Sequence, residues 1–280
     1  YQTAYEEKMM DTLNPYGNII WEVINEYAEL DFPTAVRTRM RTYELGLDQQ
    51  HIFQLSTEGL ADNGTYPHDF AKTEMVASDA EVLTVAKGTG GASGWGEVEP
   101  GDVVPLASSQ GAGRPLFMDM DHVDAGNRDN DHFWRSTTRG YHYNLYEPGA
   151  DQVTAGGWEA YMDNSGYDDI RKNMSYASEV LNERVKDLAT MIPTDSTTVC
   201  DTTYCMAKTG DEYLIYSPDG APFDVKMLND GETYDVEVWN VESRFIDVEQ
   251  TYSFVAVGTS HTLTPPATFG YSFYIRRQGY

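Results

Sequence analysis

Apolar residues along the chain follow two rhythms, which change over near residue 194. In the first, short apolar runs alternate with longer stretches of helical spacing. "YEEKMMDTLNPYG" predicts an amphipathic helix stopped by Asn14-Pro15 and Gly17. "NIIWEVINE" follows as a near-continuous apolar run, the pattern of a strand covered on both faces, and it carries Glu22 and ends at Asn25-Glu26. "DFPTAVRTRMRTYELGLDQ" predicts a second helix, with Asp31 as N-cap and Pro33 in its first turn. "HIFQLST", "EVLTVAKG" and "RPLFMDMDH" predict three more strands. "DNDHFWRSTTRGYH" is helical, "YNLYEP" a short strand and "YDDIRKNMSYASEVLNERVKDLATMI" a long helix. This alternation argues for parallel βα units.

After Pro193 the period shortens. "TYCMAKTG", "EYLIYSPDG", "FDVKMLND", "TYDVEVWNV", "YSFVAVG" and "GYSFYIRR" are short strands separated by Gly, Asp, Asn and Pro turns. They predict an antiparallel β-sandwich of roughly 85 residues. Two domains are therefore expected, 1–193 and 194–280, with no internal repeat. Gly88 to Gly113 reads as a long loop rich in Gly, Ser and Pro that contains Trp95.

Composition narrows the partners. Acidic residues outnumber basic ones 45 to 19 among 280 residues. Such a field repels nucleic acid and anionic membranes, so neither is an expected partner. No apolar run approaches the roughly 18–20 residues of a membrane helix. The chain starts at Tyr1 with no visible signal peptide, which says little if the N-terminus is processed. The two cysteines, Cys200 and Cys205, either clip a hairpin as a disulfide in a secreted protein or serve as small buried hydrophobes.

Three segments then carry a resemblance: "NIIWEVINEYA", "PLFMDMDHVDAGNRDNDHFWRSTTRGYHYNLYEP" and "DLATMIPTDSTTVCDTTYCMAKTGDEYLIYSPDG". In this order they resemble glycoside hydrolases built as a (β/α)8 barrel followed by a C-terminal β-sandwich, of the apiosidase-like and clan-A-like kind. The resemblance implies an α/β fold: the C-terminal part of a TIM-type barrel, then the sandwich. It makes Asn18–Glu26 the fourth barrel strand, so the first three strands are missing and the chain opens in the third helix. A partner chain or an N-terminal segment is then expected to complete the barrel, because an open barrel has bare edges.

Active residues of such barrels sit at the C-terminal ends of the strands. Hydrolysis of a glycoside needs two carboxyl groups flanking the bond. Glu26 is the expected acid/base. Asp121 is the expected nucleophile in preference to Asp119, since it lies nearer the loop; the family more often carries glutamate there. Strand alternation places Glu22, Ile24 and Glu26 on one face, and Phe117, Asp119 and Asp121 on one face. A retaining mechanism requires the two carboxyl groups about 5–5.5 Å apart. Asn25 and His122 are candidates for sugar hydroxyls, and Trp95, Trp134, Tyr143 and Tyr146 for stacking on sugar faces. Glu147 is a spare carboxylate at the same level, and Glu22 is expected to be structural.

"DMDHVDAGNRDND" is rich in oxygen ligands but lacks the order of an EF-hand loop. His51 and His122 alone do not make a metal cluster, and "GTGGASGWG" lacks the end of a phosphate loop. No metal and no cofactor are expected. The leading expectation is a secreted, retaining glycoside hydrolase. Its rival is a non-catalytic glycan-binding or assembly protein on the same scaffold.

Overall fold

The computed structural model describes residues 1–23, 31–57, 80–86, 113–119, 130–144, 168–194, 196–202, 204–241 and 247–280. Helix α1 (Gln2–Leu13) ends at Asn14, where Pro15 forbids a further helical hydrogen bond. The Asn14 side chain then spans two turns: its Nδ2 donates to Gln49 O at 2.6 Å and its Oδ1 accepts from Gln49 N at 3.2 Å. Strand β1 (Ile20–Glu22), helix α2 (Asp31–Glu44) and strand β2 (Ile52–Thr57) follow. Strands β3 (Val82–Ala86) and β4 (Leu116–Asp119), helix α3 (Asn130–Thr138), strand β5 (Tyr141–Asn144) and helix α4 (Asp168–Glu183) complete this half.

The five strands pair in chain order, β1-β2-β3-β4-β5, and every pair is parallel. Alternation and register divide them into two faces. The outer face carries Trp21, Phe53, Leu83, Leu116 and Tyr141, all buried. Trp21 and Phe53 close a core with Met10 of α1 and Val36 and Met40 of α2. Leu83, Leu116 and Tyr141 pack with Trp134 of α3 and Ala177 of α4. The inner face carries Ile20, Glu22, Ile52, Gln54, Val82, Phe117 and His142. Here Ile20 and Ile52, opposite one another in register, are both 45% exposed.

β1 is therefore not covered on both faces as its apolar run predicted. Only Trp21 is buried, and Glu22 is exposed. A run of apolar residues reports the hydrophobicity of both faces of a strand, but not whether a neighbour is present to cover the second one.

Glu183 ends α4 earlier than the sequence rhythm suggested, and Leu188–Thr190 form a separate 3-10 turn. From there the chain is antiparallel. Strands β6 (Ile192–Thr194), β7 (Tyr204–Lys208), β8 (Glu212–Ser217), β9 (Phe223–Lys226), β10 (Thr233–Asn240), β11 (Asp247–Val255), β12 (Ser260–Leu263) and β13 (Tyr271–Arg277) make two sheets. Six strands run in the order β11-β10-β13-β8-β7-β6, and β12 pairs with β9. One face of the six-stranded sheet, with Tyr204, Leu214, Tyr216, Trp239 and Tyr274, joins the core under α3 and α4. The other, with Ile215, Val236, Phe273 and Ile275, packs on Phe223, Val225 and Leu263 of the small sheet. Cys200 and Cys205 form a disulfide across a Cα separation of 6.5 Å.

Candidate active site

Because the five strands are parallel and in register, Glu22, Thr57, Ala86, Asp119 and Asn144 all end at one edge of the sheet. This is the edge at which barrel enzymes place their chemistry. In sequence, seven of the expected site residues lie beyond these ends. Asn25 and Glu26 follow β1, Trp95 follows β3, Asp121 and His122 follow β4, and Tyr146 and Glu147 follow β5. All seven lie outside the described residues. Asp119 is described as the last backbone position of β4, opposite Asn144 of β5 and Ala86 of β3. Register puts position 119 on the inner face, the same face as Glu22.

Two inner-face residues complete the described part. Phe117 of β4 lies directly opposite His142 of β5. Their rings stack with centroids 5.0 Å apart and planes inclined by 26°. His142 is exposed and Phe117 half-buried. Desolvation holds the His142 imidazole below the usual histidine range, which keeps it neutral at neutral pH. Phe117 shared a predicted face with Asp119. Nothing in the sequence around His142 marks it, because its neighbour across the sheet is set by register and not by its own sequence surroundings.

Trp134 is a correction. It was expected to stack on sugar, but its side chain is fully buried. Its Nε1 donates to Asn173 Oδ1 of α4 at 3.0 Å, and its ring meets that of Trp239 at 6.1 Å. Asn173 Nδ2 in turn donates to Val241 O at 2.8 Å. The rest of the "WRSTTRG" stretch has the same character. Arg135 pairs with Asp131 at 2.6 Å and donates to the Tyr204 hydroxyl at 3.1 Å, while Arg139 lies over the Tyr204 ring. Gly140 adopts φ 88°, a left-handed turn that starts β5 directly after α3 and that a side chain would strain. The stretch that carries much of the sequence resemblance thus joins α3 to the antiparallel sheet. Tyr143 is likewise partly buried, edge-on to Phe133 at 5.4 Å. Asn173, the acceptor of a glycosylation sequon, is fully buried and engaged by both of its polar atoms.

At the opposite edge of the sheet a buried polar cluster fixes the strand starts. Glu44 Oε1 accepts from Trp21 Nε1 at 2.9 Å and lies 2.6 Å from His51 Nδ1. His51 Nε2 faces Tyr16 O at 3.0 Å. Arg41 donates to His51 O at 2.9 Å and also pairs with Glu81, whose Oε2 accepts from Phe53 N at 3.0 Å. His51 is thereby committed to the frame and not to a metal. No group of three or more potential metal ligands occurs among the described residues.

No family model matches the chain, and no curated protein matches it in sequence. Its fold is similar to solved structures. One is described as a glycoside hydrolase, with a TM-score of 0.61 and 12% identity over 99% of this chain and 69% of that one. Another is a glycoside hydrolase family 5 protein from Bacteroides vulgatus, with a TM-score of 0.59 and 12% identity over 98% of this chain and 66% of that one. The chain spans about two thirds of the length of both. The likeness shows the fold alone: a parallel α/β sheet with antiparallel sheets attached.

Proposed function

We propose that this chain is a glycoside hydrolase of the two-carboxylate retaining type. Residues 1–193 are the catalytic-type barrel unit, and 194–280 the sandwich that supports it. The observation that carries the reading is the shared edge of the parallel sheet: the strands that end there lead directly into the segments holding Glu26 and Asp121. Glu26 serves as acid/base, protonating the leaving oxygen. Asp121, or Asp119 two residues before it, attacks the sugar carbon. Asn25, His122, Trp95, Tyr146 and Glu147 contact the sugar.

The exposed Ile20 and Ile52 on the inner face support completion of the barrel by further strands beside β1, from this polypeptide or a partner chain. The Cys200–Cys205 disulfide supports a secreted protein. Among the described residues no helix is long and apolar enough to cross a membrane.

A glycan panel assayed with the wild type, Glu26→Gln and Asp121→Asn tests the reading. Loss of about 10²–10⁴-fold in turnover is expected for Glu26→Gln. Equal activity of Glu26→Gln and wild type removes Glu26 from the mechanism. The second reading, a non-catalytic glycan-binding or assembly protein, is favoured by the same open inner face at β1. Glycan binding without turnover by the barrel-complete protein selects it.

A further inference from the structure

On the inner face of the parallel sheet, among the described residues, the His142 ring is held by a stack and by no hydrogen bond. His142 sits two positions before the end of β5, about 7 Å below the strand edge along the chain. Phe117 lies flat against it across the β4–β5 pairing, 5.0 Å away. Neither imidazole nitrogen is hydrogen-bonded to any described residue. Yet the ring is exposed, and its orientation is set by the stack. Other polar ring and carboxylate groups of this half, such as His51 and Glu44, are committed to partners at 2.6–3.0 Å.

Held neutral by desolvation, His142 offers one N–H donor and one lone pair. A sugar hydroxyl is itself both donor and acceptor, so either tautomer can engage it. A phenyl ring behind the imidazole fixes its plane at little entropic cost, as a ligand-contacting group requires.

We propose that His142, backed by Phe117, contacts the glycan directly, hydrogen-bonding a sugar hydroxyl at the floor of the site and setting specificity there. The inference rests on the glycan-site reading above and deepens it.

The test uses His142→Phe, which keeps a flat ring on Phe117 and removes both nitrogens. Its melting temperature is compared with wild type to show that the fold is kept. On a glycan that the wild type hydrolyses, KM should rise about three- to tenfold, the worth of one hydrogen bond, with kcat changed less than about twofold. Independently, the imidazole ¹⁵N resonances of His142 should shift when the same glycan saturates Glu26→Gln. Hydrolysis by the wild type with unchanged KM in His142→Phe and no ¹⁵N shift overturns this inference alone. If the wild type hydrolyses nothing but a panel glycan moves the His142 resonances, the hydrolase reading fails and the contact stands. If no glycan is cleaved and none moves those resonances, both fall.

Discussion

The two large sheets of this molecule are built from similar residues but live in different surroundings. The central strands of the six-stranded antiparallel sheet, β13, β8 and β7, are buried on both faces, by α3 and α4 on one side and the β9–β12 pair on the other. The parallel sheet is sealed on its outer face, while its inner face buries Val82 but leaves Ile20 and Ile52 half open at the β1–β2 side. The first sheet is a finished structural layer. The second keeps polar and aromatic side chains, Glu22, Gln54, Phe117 and His142, on its inner face, where Val82 alone of the residues named there is buried. Burial is thus distributed unequally between the two sheets and between the two faces of the parallel one.

The largest test of this contrast is Trp134, where the two halves share one core. Trp134→Ala removes a fully buried indole and the partner of Asn173 Oδ1. A loss of about 3–5 kcal/mol in urea denaturation is expected. A loss below about 1 kcal/mol would mean that α3 does not clamp the antiparallel sheet as described.

Next is Glu212 at the start of β8, fully buried. Its carboxylate accepts from Lys186 N at 2.7 Å, Asp187 N at 3.1 Å and the Tyr274 hydroxyl, and so holds the turn after α4 against the sheet. Glu212→Ala leaves these donors without an acceptor and should cost about 2–3 kcal/mol in the same measurement. Rescue by Glu212→Gln should be partial, because an amide supplies only one oxygen.

Much of this was legible in the sequence. The βα alternation, the parallel sheet it implies and the start of the antiparallel strands all follow from a change of hydrophobic period. The strand β12, "SHTL", escaped because only Leu263 of its four residues is buried. Trp134 was misassigned because an aromatic residue in a helix reads the same whether its ring meets sugar or another tryptophan. β1 read as covered on both faces because its residues are apolar, but the face that Glu22 shares with Ile20 is open. His142 gained its significance from Phe117, and that pairing depends on a register which single-strand patterns do not encode.

A smaller effect is expected at Asp187, on the surface of the junction. Its hydrogen bonds with Lys208, then Thr190 and the Tyr280 hydroxyl, hold its carboxyl below the usual aspartate range. A carboxyl depressed in the folded state adds stability above its unfolded pKa and loses it as pH falls through the folded value. Wild type should therefore melt above Asp187→Asn near neutral pH, and the gap should close on acidification below about pH 4. A gap that stays constant across this range would show that the ion pair with Lys208, at 2.7 Å, contributes nothing through charge.

The smallest effect is the most informative for the comparison. Ile20→Ser and Ile52→Ser each place a small polar side chain where an isoleucine is already 45% exposed. In the chain alone each should change stability by less than about 0.5 kcal/mol, as at ordinary surface positions. The matching exchange Ile275→Ser, in a strand covered on both faces, removes a fully buried isoleucine and should cost several times more. If Ile20→Ser and Ile52→Ser instead cost about 2 kcal/mol or more, the inner face is covered in solution. The two sheets then differ in what covers them and not in whether they are covered. Repeating the Ile pair in a polypeptide or complex that supplies strands beside β1 separates these cases. Burial by those strands should raise the cost of each exchange, because the isoleucines then lose a packed environment and not a solvent-facing one.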